Sequence, residues 1–182
     1  MQPPRAAVLL KGNTMEIRIA GTISESIVDG PGFRYTIFVQ GCPHHCESCH
    51  NPQTHDFNGG RIVSTDELFS ECLDDPLNKG VTFSGGEPFC QPEPLYELGT
   101  RFKEHGLNLW SYSGWTFEEL LQKAKHEEYV GKLLSILDVL VDGRFILSRR
   151  SLALQFRGSD NQRIIDVPNS LSVGTAVLLN LD

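Results

Sequence analysis

Long apolar runs are missing from this chain. No stretch approaches the ~20 residues that cross a bilayer, and the N-terminal run AAVLL is too short for the apolar region of a signal peptide. A membrane partner is therefore not expected. An excess of basic charge is missing too: 16 Lys and Arg stand against 23 Asp and Glu, a formal net charge of −7. A sequence-independent nucleic-acid binder needs a basic face, so nucleic acid is not an expected partner either. Cysteine is scarce and odd in number, five in 182 residues, and three of the five fall within eight residues. That is not a disulfide framework, and reduced thiols belong in a reducing compartment, so the cytoplasm is the expected location. Internal repeats and low-complexity segments are absent. What remains is an ordinary globular composition, 40% hydrophobic and 21% charged, in a chain long enough for one domain with a sizeable core.

Local patterns organise the chain. Residues 1–14 do not match the periodicity that follows and are expected to form a flexible extension, with the domain occupying 15–182. EIRIAGTI and FRYTIFVQG read as strands, separated by the turn cluster VDGPG. Ser64 with Glu67 three residues on signals a helix start, and the helix runs to about Leu73. GVTFSGG, LNLWSYSG and the apolar run ILDVLVDGRF read as further strands, with helices from Pro92 to His105 and from Thr116. LALQFRG and QRIIDVP read as two shorter strands, possible partners in a hairpin, and AVLLN as a last one. Strands alternating with helices imply a parallel sheet with right-handed crossovers. A complete eight-stranded barrel needs about 250 residues. The expected fold is therefore α/β: an incomplete, open (β/α) TIM-type barrel with a mostly parallel sheet, whose site residues gather at the carboxyl ends of the strands.

The densest chemical signal is GCPHHCESCH, which places Cys42, Cys46 and Cys49 in the spacing C-x3-C-x2-C. Three thiolates can hold a [4Fe–4S] cluster by three of its four irons, where four cysteines are usual. The fourth iron then keeps an open position, the logic that separates catalytic from structural zinc sites. A zinc knuckle is the competing reading, since His44, His45, His50 and His55 stand nearby. An electron carrier with an ordinary cluster is another, and would recruit a fourth cysteine such as Cys90. Gly85-Gly86-Glu87-Pro88 follows the strand VTFS; glycines there let backbone approach a ligand. Cys72 reads as a small buried hydrophobe, and Cys90 receives no role.

Taken together, C-x3-C-x2-C followed by His50, with GGEP downstream, resembles the radical S-adenosylmethionine superfamily. The resemblance implies that Cys42, Cys46 and Cys49 hold one [4Fe–4S] cluster. It also implies that S-adenosylmethionine is bound around Ser48, Cys49, His50, Gly85, Gly86, Glu87, Ser111, Asp142 and Arg144. In that reading the Gly85–Glu87 segment takes the methionine amino group, Ser48 and His50 lie near the adenine, and the strand ends carrying Ser111, Tyr112, Ser113, Asp142 and Arg144 contact the sugar, the carboxylate or a cation. Asp142 has a plainer reading as a turn residue.

Further runs narrow the resemblance. Asp29-Gly30-Pro31-Gly32-Phe33-Arg34, then FVQGC and CHNP, look like the enzymes that install glycyl radicals in partner proteins. YSGWTFEEL and Phe156–Arg163 (FRGSDNQR) resemble the activators of anaerobic (class III) ribonucleoside-triphosphate reductase, with Asp160 where many relatives carry Ser. Five cysteines leave no room for an inserted ferredoxin-like domain. The implied reaction is reductive cleavage of S-adenosylmethionine and hydrogen abstraction from a glycine of the reductase's glycyl-radical subunit. The implied electron donor is of flavodoxin or ferredoxin type. No side chain need act as acid or base; Asp29 is the candidate for orienting the partner's loop, against a plain turn-forming role. A pyruvate formate-lyase-type activase and a deazaguanine-forming synthase are the alternatives within the superfamily.

Overall fold

Apolar–polar alternation over Glu16–Ser26 makes β1, and the β-branched and aromatic run Arg34–Val39 makes β2. The computed structural model describes residues 14–181 and continues with β3 (Arg61–Ser64), α1 (Thr65–Asp74), β4 (Gly80–Gly85), α2 (Pro92–Glu104), β5 (Asn108–Ser113), α3 (Phe117–Lys123), α4 (Glu128–Ile136), β6 (Val139–Asp142), β7 (Arg163–Asp166) and α5 (Val167–Val173). Helix starts follow local chemistry. Ser64 Oγ accepts from the Glu67 N–H at 3.0 Å to cap α1, and Thr116 with Glu119 forms a reciprocal capping box on α3. Asp166 caps α5, which carries Pro168 in the first turn where no N–H is needed and ends on Gly174 at φ 78°.

The strands form one sheet in the order β3-β1-β2-β4-β5-β6-β7. β2, β4, β5 and β6 run parallel at its centre, flanked by the antiparallel pairings of β1 with β2 and β3 and of β6 with β7. The sheet is open, with β3 and β7 at its edges. The α/β reading and the open, parallel-centred sheet are as the sequence led one to expect. Two expected strands are absent: LALQFRG has no ladder, only a bridge from Arg150 to Ser159 beside it, and AVLLN contributes a single bridge, Leu178 to Ile165. The extension expected over residues 1–14 lies, Thr14 excepted, outside the described residues. Among the described residues no helix is long and apolar enough to cross a membrane.

Strand alternation sorts the two faces of the sheet. Tyr35, Ile37, Val39, Phe83, Leu109, Leu140 and Ile165 join residues of all five helices in the main core, where Cys72 is buried as expected. Burial pushes the Cys72 thiol up to about 12, as befits a packing group. Trp110, Val139, Val141 and Ile164 face the other way and form a smaller cluster. Arg34, 2% exposed, is seated beside them with its guanidinium 5.3 Å from the Trp110 ring centre. It donates to Thr82 Oγ1 (2.6 Å), Val81 O (2.6 Å) and Asn108 O (3.1 Å), so one side chain cross-links β2, β4 and β5. Burial lowers its pKa to about 10, which leaves it cationic at neutral pH. Gly30 rests on its stem: a Cβ there would stand 2.7 Å from Arg34 Cδ. The DGPGFR run thus has a structural reading, a turn packed against a buried arginine.

Candidate active site

The carboxyl ends of the four parallel strands open onto a cleft of about 750 Å³ on the helix-free face. Brought to its lining are Cys42, Cys46, Cys49, His50, Gly85, Gly86, Arg144 and Asp29. These come from the connections that follow β2, β4 and β6 and from the β1–β2 turn, and assembly at strand carboxyl ends is where open α/β sheets place their ligands.

The cysteine loop is closed at its neck by backbone. The Gly41 N–H donates to Thr54 O (2.8 Å) and the Cys42 N–H to His55 O (3.2 Å). Gln40 fastens the same neck, its Nε2 donating to Gln53 O (3.0 Å) and Asp56 O (2.7 Å). Residues 43–53 project from this neck and carry Cys46 and Cys49 to the cleft, with Cys42 at the neck itself. The Asn51 N–H points at Cys49 Sγ (3.4 Å), a contact that stabilises a thiolate. Burial pushes the Cys42 thiol up to about 11 and raises Cys46 as well. Loading a metal centre must therefore displace protons from these groups. Among the described residues no three His, Cys, Asp or Glu side chains gather closely enough for a single metal ion. Zinc wants its ligands about 2.0–2.3 Å from one point, whereas a cluster holds each cysteine on a different iron. The donor set of three spaced thiols fits the second requirement better.

The glycines at the exit of β4 also pack against the protein's own backbone. A Cβ on Gly85 (φ 91°) would lie 2.6 Å from Phe38 Cα, and one on Gly86 would lie 2.4 Å from Gly41 O. The Gly86 and Glu87 N–H groups donate to Val39 O (2.8 Å) and Gly41 O (2.9 Å). The close approach is to the protein's own backbone, and it stitches the exit of β4 to the base of the cysteine loop.

Four of the expected cofactor residues are not brought to the cleft. Glu87 is fully buried beneath it. Ser111 faces away from it, 0% exposed, its Oγ donating to Tyr112 O (3.1 Å); strand alternation presents Tyr112 and not Ser111 to the cleft. Ser48 is exposed on the loop at φ 55° and does not line the cleft. Asp142, 1% exposed, accepts from the Phe117 N–H (2.7 Å) and pairs with Arg163, its cross-strand neighbour in β7. Asp142 and Glu118 together hold Arg163 well above the ordinary arginine range. Asp142→Asn is expected to cost about 2 kcal/mol of stability, the scale of a hydrogen bond to a charged group, and to leave cofactor affinity unchanged; urea denaturation and a binding titration check the two halves.

Sequence reasoning missed the wall made by residues 154–162. Tyr112 Oη donates to Phe156 O (2.8 Å). Gln162 Oε1 accepts from the Gly158 N–H (2.9 Å) while its Nε2 donates to Gly143 O (3.0 Å), fastening the FRGSDNQR run to the end of β6. Gly158 leaves room for the His50 and Phe145 rings, whose centres are 5.1 Å apart. The signal was present, since the run had been singled out for its resemblance, but read as strand. Two buried nitrogens at the cleft, His55 Nε2 and Arg157 Nε, have no hydrogen-bond partner among the described residues. The unpaired Arg157 N–H beside clustered thiols suits an anionic, sulfur-rich group or a ligand carboxylate.

Residues 28–165 match the family described as a 4Fe-4S single cluster domain. The chain is 33% identical over 146 residues to the anaerobic ribonucleoside-triphosphate reductase-activating protein of Vibrio cholerae, covering 76% of this chain and 90% of that one. The protein of the same name from Escherichia coli K12 is 31% identical over 145 residues, covering 75% and 90%. The pyruvate formate-lyase-activating enzyme of Clostridium pasteurianum is 39% identical over 135 residues, covering 69% of this chain and 55% of the relative.

Proposed function

We propose, on the premise that this chain belongs to the family of anaerobic ribonucleoside-triphosphate reductase-activating proteins and carries their 4Fe–4S single cluster domain, that it installs a glycyl radical on an anaerobic ribonucleoside-triphosphate reductase. It is a radical S-adenosylmethionine activating enzyme of the glycyl-radical type. Cys42, Cys46 and Cys49 hold one [4Fe–4S] cluster, and S-adenosylmethionine is the co-substrate. When bound, the cluster supplies the electron that cleaves the sulfonium's bond to its 5′ carbon. The observation that carries this reading is the convergence of three thiols from one loop, the exit of β4 and the His50–Phe145 ring pair on one cleft.

This chain's own groups bind, orient and exclude water. The exit of β4 at Gly85–Gly86 presents backbone to the methionine end. His50 and Phe145 flank the adenine. Arg144, exposed at the rim, and the unpaired Nε of Arg157 meet the carboxylate. The wall of residues 154–162 narrows the cleft against water. Asp29, held by Ser26 Oγ (2.5 Å) and Thr36 Oγ1 (3.2 Å), faces the cleft where a partner's loop would enter. We take the sheet as an incomplete TIM-type barrel whose open side admits that loop, the donor as a flavodoxin- or ferredoxin-type protein, and the compartment as the cytoplasm.

The 39% relative keeps pyruvate formate-lyase as the second possible partner. Incubating the reduced, reconstituted protein and S-adenosylmethionine with each partner separates the two. A glycyl-radical signal in the reductase and none in the lyase is the expected result; a signal in the lyase alone overturns the assignment.

A further inference from the structure

We infer that His44 is the positioning residue that locks the cysteine loop to the rest of the site, and that Glu87 acts on the cofactor only through it. The inference rests on the reading that Cys42, Cys46 and Cys49 hold the cluster. His44 stands between the first two of them, and nothing in the reaction as described uses it.

Its surroundings are built. The His44 side chain is 4% exposed, and its Nε2 lies 2.7 Å from Oε2 of Glu87, which is 0% exposed. The same carboxylate accepts from the Gly114 N–H (2.8 Å), from Ser113 Oγ (3.0 and 3.1 Å) and from the Phe89 N–H (3.1 Å). The imidazole meets Trp115 edge-on, ring centres 4.7 Å apart. Beneath it Gly114 leaves the space, for a Cβ there would stand 2.3 Å from the ring. Three chain segments thus converge on one carboxylate: the cysteine loop, the exit of β4 and the exit of β5.

Direct ligation of the cofactor by Glu87 is a poor fit to this arrangement. A carboxylate offers about four lone-pair sites, and four groups already occupy them. With no exposure, a ligand amino group would have to displace one of those donors and leave it buried and unpaired, which is costly. The same geometry removes His44 from the zinc reading, because ligating a metal through Nε2 would surrender the Glu87 contact. The arrangement instead resembles a metal site's outer shell, where a buried carboxylate orients the residues that orient the metal. Here it orients a loop. Cys42 is held at the neck by backbone; Cys46 lies beyond His44 and depends on this second anchor.

The test begins with the metal-free protein, where the clamp can be read without any cofactor. His44→Phe keeps the ring shape and deletes the hydrogen bond. Amide hydrogen exchange across residues 42–51 is expected to rise roughly tenfold or more in His44→Phe, the scale of one lost bond to a charged group. Exchange in β5 and β6 should stay as in the parent. His44→Gln, whose amide can reach Glu87, should restore most of the protection. Adding His44→Phe to Glu87→Ala should change little beyond Glu87→Ala alone, the non-additivity of two ends of one contact. After anaerobic reconstitution, iron per chain should fall in His44→Phe and recover in His44→Gln. Parent-level exchange in His44→Phe would overturn the inference. So would Glu87→Ala weakening S-adenosylmethionine binding while the loop stays protected and the cluster full, since Glu87 would then be a direct ligand. A parent protein that takes up no iron would overturn the cluster reading instead, and the exchange data would still decide the clamp.

Discussion

Replacing Cys42, Cys46 or Cys49 by alanine, one at a time, is expected to drop cluster iron to background after anaerobic reconstitution and to abolish cleavage of S-adenosylmethionine. Two thiols cannot retain a cluster that three hold with one iron already lacking a protein ligand. The fold itself should survive, because the three side chains line the cleft and none belongs to the main core. Cys72→Ala serves as the control. It lies on the buried face of α1 in the main core, so its loss should cost stability and leave iron content unchanged. Iron and acid-labile sulfide per chain, measured beside circular dichroism, separate loss of cluster from loss of fold. Full iron in any of the three alanine variants would remove that cysteine from the ligand set.

Gly85→Val is expected to cost about 2–6 kcal/mol of stability although residue 85 carries no side chain to lose. Its φ of 91° is a conformation that β-branched residues scarcely adopt, and the added Cβ would sit 2.6 Å from Phe38 Cα and 2.7 Å from Val39 N. Backbone cannot swing aside as a flexible side chain can. Strain at such a φ costs about 1–3 kcal/mol and overpacking about 1–3 more. Domains of this size have only about 5–15 kcal/mol in total. Urea denaturation should show a large fall in the midpoint. Gly106→Ala offers the contrast: it also has positive φ, but nothing lies within 4 Å of the new Cβ, so only the backbone term applies. A small, equal effect of both would mean that the β4 exit can yield, and the stitching argument would fail.

Much of this was legible in the sequence because local signals agreed with the tertiary outcome. β1, β2, β4 and β5 follow from alternation and β-branched content, and α1 and α3 from cap residues that the structure uses as caps. The cysteine loop was legible from spacing alone. Other elements were not. β3 is four residues at a sheet edge, too short to show a period. α5 had its signals, Asp166 before Val167-Pro168 and Gly174 after, but they were masked by the apolar run QRIIDVP. LALQFRG alternates like a strand, yet its backbone is satisfied by the Tyr112 hydroxyl and the Gln162 amide, and Phe156 adopts φ 55°. Alternation there fits a cleft wall and not a ladder.

The candidate site shows the same division. Motif spacing located the loops, but not which side chains face the ligand. Ser111 and Tyr112 were named together, yet only Tyr112 lines the cleft, since a step of one residue inverts the face. Glu87 and Asp142 were named because the family resemblance implies cofactor contacts at these strand ends. Both turned out buried and partnered, by His44 and by Arg163, and neither pairing has a signature at fixed sequence spacing. Long-range partners of buried carboxylates are set by packing, which one sequence does not display.

The most direct test of the central claim is quantification of 5′-deoxyadenosine after anaerobic reconstitution, reduction with dithionite and addition of S-adenosylmethionine, with the anaerobic ribonucleoside-triphosphate reductase present. Production of 5′-deoxyadenosine together with a glycyl radical on the reductase is the predicted result. A fully loaded and reduced cluster that gives neither, with the partner bound, would contradict it.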